Sequence, residues 1–232
     1  MIENIVNKIN EYSFIPRIIF DVGSRDLNES IAFKNKYPEA QIYAFEPNPE
    51  QLSICQEKAK KHNINFFNLA ASDIVEEHVY YAVQKDGPNP NIGASALSYF
   101  SEEQLAYWDE FSPNSKSQTK KYIINTTTLD IFCEENKINE IDVLWLDVQG
   151  WEGRVLKGAE KILENTKLIH TELSFKKFYE HTDLYPEVQE FLKNKYFEEI
   201  YTTHPYISDY ENFRFKMEIG LTDSIFINKK FI

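Results

Sequence analysis

The sequence predicts an α/β fold built on a mostly parallel sheet with helices on both faces. Three observations predict it. Short apolar runs alternate with segments of ten or more residues that suit helices. The apolar runs read as buried strands, and several of them end in an acid. The first run is followed at once by a glycine that marks a tight turn.

The elements follow in order. Ile2, Ile5, Val6 and Ile9 predict a short amphipathic helix over residues 2–12. RIIFDVG (17–23) predicts a strand and its turn, and residues 26–37 a helix ended by Pro38. QIYAFEP (41–47) is the second strand, 49–62 a helix with Pro49 in its first turn, and INFFNLA (64–70) the third strand. HVYYAV (78–83) is a further strand. Gly87, Pro88, Pro90 and Gly93 mark an irregular loop over 85–98, followed by a short helix at 101–111 and a polar connection to 121. The rhythm then resumes with strand 121–127, helix 128–136, strand 141–148, helix 152–165 and strand 167–173. A helix near 185–195 and strands near 196–203 and 223–229 complete it. No repeat or linker interrupts the pattern. The expectation is one domain over 1–232, with an N-terminal helix within 1–16 and an inserted lid over 85–120.

Composition bounds the partners. A chain of 232 residues, 42% hydrophobic and 27% charged, can bury a full core without disulfides or a structural metal. Lys plus Arg is 25 against 37 Asp plus Glu, a net charge of −12. That repels phosphate backbones and argues against nucleic-acid and anionic-membrane partners. Cys55 and Cys133 form no CxxC pair and read as small buried hydrophobes. No apolar run approaches the ~18 residues of a membrane span, and the N-terminus lacks a signal-peptide pattern, so a cytoplasmic location is expected.

Ligands of open α/β sheets bind at the carboxyl ends of the strands. The residues there are Asp21-Val22-Gly23-Ser24, Glu46-Pro47-Asn48, Ala71-Ser72-Asp73, Asp147-Val148-Gln149-Gly150 and His170-Thr171-Glu172. A glycine turn with an acid about 23 residues later suits a nucleoside whose ribose hydroxyls meet Glu46. Position 26 is Asp and 28 is Asn, so the three-glycine dinucleotide fingerprint is missing and a pyrophosphate is disfavoured. S-adenosylmethionine fits better. It has a ribose for Glu46, an adenine edge for Asp73, and ammonium and sulfonium groups that carboxylates favour.

The stretches IIFDVGSRDLNES, IYAFEPNP, NLAASD, GASAL, TTTLDIFCEE, VLWLDVQGWEGRVLKGAEKIL and HTEL resemble the FkbM-type class I S-adenosylmethionine-dependent methyltransferases. The resemblance implies a Rossmann-like, mostly parallel seven-stranded sheet. It also implies O-methylation, commonly of sugar or polyketide hydroxyls. Two residues depart from the family pattern: Asp26 where a second glycine is usual, and Gln149 where a glutamate is usual.

Carried over, the resemblance places Asp21, Gly23 and Ser24 at the methionine end of the cofactor. It places Glu46 and Asn48 at the ribose, and Ala71, Ser72 and Asp73 around the adenine. Asp147 and Gln149 face the reacting centre and Glu172 closes the site. An alcohol must lose its proton as it attacks, so a general base is required. Asp147 is the first candidate, with His170 and Glu172 as alternatives. Ser95, Tyr99, Trp108, Trp151 and His181 are candidate acceptor contacts, and the aromatics of the insertion suit a sugar ring.

Lys85, Lys116, Lys120 and Lys121 could meet a diphosphate, or be solvated loop charges. His62 and His78 read as solvated, while His204 could border the substrate. Asp147, Glu172 and a histidine would suit Mg²⁺ or Mn²⁺, though nothing in the spacing demands a divalent metal. The expected partner is a sugar or nucleotide-sugar, and the expected state a monomer or homodimer. A lipid or small-metabolite hydroxyl is the alternative acceptor. A non-catalytic binding module on the same fold is the alternative class.

Overall fold

The structure is a computed structural model that describes residues 2–83, 94–111, 118–203 and 220–232, without the side chains of 107–111, 118 and 119. It opens with helix α1 (Ile2–Glu11), which buries Ile5, Val6 and Ile9 as their spacing predicts. Strand β1 (Ile18–Val22), α2 (Asn28–Lys36), β2 (Gln41–Phe45), α3 (Leu52–His62) and β3 (Asn65–Phe67) follow in alternation. Then come β4 (Ala70–Ala71), β5 (Glu77–Val83), α4 (Glu102–Phe111) and β6 (Gln118–Thr127). Thr128 caps α5 (Leu129–Asn136) by accepting from the Ile131 N–H at 3.1 Å. β7 (Ile141–Leu146), α6 (Glu152–Lys157) and β8 (Thr166–Ser174) succeed it. The last long elements are α7 (Tyr185–Asn194), β9 (Phe197–Thr202) and β10 (Leu221–Asn228).

Seven strands form one sheet in the order β3-β2-β1-β7-β8-β10-β9. Pairing is parallel from β3 through β8, while β10 runs antiparallel to both β8 and β9. All six residues of β7 are buried, as a central strand covered on both faces requires. One face packs Phe20, Phe45, Leu144, Leu146 and Phe226 with residues of α5, α6 and α7. The other packs Ile19, Ile42, Val143, Trp145 and Leu168 with residues of α1, α2 and α3. Each fully buried aromatic contributes about 1.5–3 kcal/mol.

Three expectations are corrected. The predicted third strand divides: β3 stays in the main sheet, while β4 leaves it to pair with β6 in a second sheet ordered β4-β6-β5. Asn68 marks the departure, donating from Nδ2 to the Glu46 carbonyl at 2.8 Å. The helix expected over 152–165 ends at Lys157 because Gly158 lies against the Ser72 carbonyl, where a Cβ would approach to 1.9 Å. The chain resumes as a short 3-10 turn, Ile162–Asn165, whose start is fixed by Asp130 accepting from the Lys161 and Ile162 N–H groups. Finally, β7 stops at Leu146, so Asp147 and Val148 belong to the loop after it.

Candidate active site

A cleft lies at the carboxyl edge of the sheet, above β1, β2 and β7. Val22 sits beside Leu146 in the parallel β1–β7 register, so the loops after these strands emerge together. Gly23 allows it. Its φ is +88°, and an added Cβ would lie 1.8 Å from the Asp147 carbonyl oxygen. Beyond it, Arg25 (φ +46°) and Leu27 (φ +63°) take left-handed conformations on either side of Asp26. The Asp26 carboxylate is tied at 3.2 Å to Lys58 Nζ of α3 and accepts from Asn28 Nδ2 at 2.8 Å. The loop is thereby latched to α3, and much of the Asp26 charge is spent there.

Glu46 follows β2 and is 5% exposed. Its two carboxylate oxygens accept from the Arg25 N–H at 2.9 Å and the Asn48 N–H at 2.7 Å. Burial pushes its carboxyl up to about 7, against the pull of those two bonds. Asn48 lies beside it in the cleft, accepting from the Glu50 N–H at 3.0 Å. Phe45, Leu69, Ala70, Ala71 and Leu97 supply an apolar wall next to these acceptors.

On the third side Asp147 lines the cleft, while Glu172, expected to close the site, and Glu152 lie behind the lining. Asp147 accepts from Gln149 Nε2 at 2.8 Å, and burial raises its carboxyl while Gln149 and His170 hold it down. Gln149 (φ +56°) and Gly150 (φ +86°) turn the chain so that the Gln149 amide also reaches Glu172 Oε2 at 3.4 Å. The Gln149 Oε1 accepts from the Tyr179 hydroxyl at 3.1 Å. Burial, then the charges of Asp147, Glu152 and Asp223, push Glu172 up to about 8. Glu152 is buried, accepts from the Val148 and Gly150 N–H groups, and is itself pushed up to about 7 by burial. It thereby ties the loop that carries Gln149.

The structure gathers Gly23, Glu46, Asn48, Ala71, Ser95, Asp147 and Gln149 in one cleft lining. Asp21 lies outside the lining, fully buried. Its Oδ2 accepts from the Ser30 hydroxyl, its Oδ1 has no partner, and burial pushes it up to about 7. Ser24 turns to the Phe45 carbonyl at 3.2 Å. Ser72 accepts from Trp151 Nε1 at 3.1 Å, and Asp73 pairs with Arg154 at 3.0 Å, so neither side chain lines the cleft. Trp151 is buried between His78 and Arg154.

His170 is a core residue. Its ring stacks on Trp145 at 3.7 Å and its Nε2 lies 3.3 Å from Asp223 Oδ1. Tyr99 packs on Tyr81, and His181 is exposed, donating its N–H to Ser98 Oγ. His78 is half-buried rather than solvated, with Nε2 against the Leu97 carbonyl. The Trp108 side chain, Lys85, Lys116 and His204 lie outside the described residues. Sequence reasoning missed Arg25, Glu29 and Tyr80 in the lining and Tyr179 and Asp223 behind it. Arg25 and Glu29 had a signal in their nearness to Gly23; the others depend on contacts remote in sequence. Among the described residues, no three His, Cys, Asp or Glu side chains group as a metal site.

These residues fit S-adenosylmethionine. Glu46 offers an acceptor for a ribose diol, the apolar wall suits an adenine, and Glu29 and Asp147 favour cationic groups. The fold is that of the class I S-adenosylmethionine-dependent methyltransferases. A solved methyltransferase of that cofactor from Clostridium acetobutylicum ATCC 824 superposes with a TM-score of 0.50 at 8% identity, over 97% of this chain and 89% of that one. The chain belongs to the methyltransferase FkbM domain family, whose model matches residues 21–199. It is 30% identical over 169 residues to the 2-O-methyltransferase NoeI of Sinorhizobium fredii (strain NBRC 101917 / NGR234), covering 70% of this chain. It is 25% identical over 147 residues to Methyltransferase 1 of Beauveria bassiana (strain ARSEF 2860), covering 61% of this chain. The matches span 65% and 58% of those relatives' own lengths.

Proposed function

We propose that the chain transfers a methyl group from S-adenosylmethionine to a hydroxyl of a sugar, carried on a nucleotide or destined for a surface polysaccharide. The observation that carries this reading is the cleft that joins Glu46 and Asp147 across Gly23, in a chain of the FkbM family. The similarity to a 2-O-methyltransferase supports an oxygen acceptor. When bound, the cofactor supplies a methyl group already activated on a sulfonium.

The protein's part is placement and proton handling. Glu46 holds the ribose, with Asn48 beside it, and the Gly23 turn lets the backbone approach. Asp147 accepts the proton of the attacking hydroxyl. Gln149 orients its carboxylate through the 2.8 Å bond, and Glu172 shares that amide. Burial raises both carboxyls above their ordinary values, which strengthens Asp147 as a base. Fixing the acceptor oxygen in line with the methyl can lower the barrier by about 7–11 kcal/mol.

Calorimetric titration with S-adenosylmethionine and S-adenosylhomocysteine, with and without EDTA, tests the cofactor site. Micromolar binding supports the reading, and a change on chelation brings in a metal. A screen of nucleotide sugars with labelled cofactor then tests the acceptor. Asp147→Asn is expected to bind S-adenosylhomocysteine normally and lose at least about a hundredfold in turnover. Undiminished turnover removes Asp147 as the base.

A further inference from the structure

The amino-acid end of S-adenosylmethionine carries a carboxylate as well as two cationic centres. The cleft is poor in cationic partners for it. Among the described residues, the charged side chains of the lining are Glu29, Glu46, Asp147 and Arg25. Three of these repel a carboxylate, and Arg25 alone attracts one. Arg25 stands in the loop after β1, the strand between those that precede Glu46 and Asp147, so a ligand reaching from one acid to the other passes it.

The guanidinium is free to serve. The Arg25 side chain is 48% exposed, and its ion pair with Asp26 is loose, at 3.6 Å from Nε. Asp26 also lies 3.2 Å from Lys58 Nζ, so one carboxylate is shared between two cations. The backbone is held independently of the side chain: the Arg25 N–H donates to Glu46 Oε2 and the Arg25 carbonyl accepts from Cys55 Sγ. That fixes where the guanidinium starts without occupying its donors.

We propose that Arg25 binds the cofactor's carboxylate and so selects S-adenosylmethionine over adenine nucleosides that lack an amino-acid end. This rests on the cofactor reading given above and adds a residue and a selectivity to it. The planar fork of arginine matches a carboxylate in two parallel hydrogen bonds.

The test compares two ligands by calorimetry. S-adenosylhomocysteine has the carboxylate, and 5′-methylthioadenosine has the adenosine without it. Arg25→Gln keeps the side chain's reach and polarity but removes its charge. It is expected to weaken S-adenosylhomocysteine at least about tenfold and to change 5′-methylthioadenosine less than about twofold. Arg25→Lys recovers part of the loss, in a salt-dependent way. Equal weakening of both ligands, or of neither, overturns the proposal, provided the variants melt like the parent. Failure of the unaltered protein to bind either ligand overturns the cofactor reading itself. Binding of 5′-methylthioadenosine as tightly as S-adenosylhomocysteine by the unaltered protein overturns only the role of Arg25.

Discussion

In the proposed reading Glu46 is both a binding group and a titrating one. It would meet the ribose as a carboxylate, yet burial holds its carboxyl near 7. Protonation removes acceptor capacity that the diol needs. Affinity for S-adenosylhomocysteine is therefore expected to rise several-fold between about pH 6 and about pH 8. Glu46→Gln should bind more weakly and lose that part of the pH dependence, and a flat profile in the unaltered protein would remove Glu46 from the ribose site. Glu46 and Asp147 were legible in the sequence because each directly follows an apolar run. Asp73 was legible as a strand-end acid but not as the partner of Arg154, which lies 81 positions away. Tyr179 and Asp223 gave no signal, because they reach Gln149 and Glu172 from segments far along the chain.

The elements matter through where their ends meet. The loops after β1 and β7 touch at Gly23, with no room for a methyl group and a backbone that L side chains rarely adopt. Gly23→Ala should lower the melting temperature by at least about 4 °C and abolish S-adenosylhomocysteine binding. A variant that melts and binds normally would show that the two loops are free to separate. Helix and strand existence were readable from spacing and breakers, as α1, α5 and β7 show. The split of β3 from β4 and the early end of α6 were not. Both are set by distant chain, the pairing of Ala70 with Thr126 and the packing of Gly158 on Ser72.

Across the whole molecule, the acids near the sheet's carboxyl edge share one titration behaviour. Asp21, Glu46 and Glu152 are pushed up to about 7 and Glu172 to about 8, chiefly by burial. Unfolded, each would release its proton near its ordinary value, so the folded state holds more protons in the interval between. Stability must then fall as pH rises through that interval. The ligand-free protein is expected to melt at a higher temperature near about pH 5.5 than near about pH 8, and saturating S-adenosylmethionine should narrow the gap. Melting that instead rises with pH would mean these carboxyls are not held up by burial. The parallel half of the sheet was open to inference from alternating strands and helices. The antiparallel return of β10 was not, since apolar spacing carries no direction.

The place of β10 also bears on how the protein is made. Residues 221–228 form an interior strand, flanked by β8 and β9, which are synthesised before them. A ribosome that has delivered everything through β9 has produced two strands whose facing edges stay open until the chain between them arrives. Closure of the sheet thus waits on the delivery of β10, and until then the facing edges of β8 and β9 are open to wrong pairing.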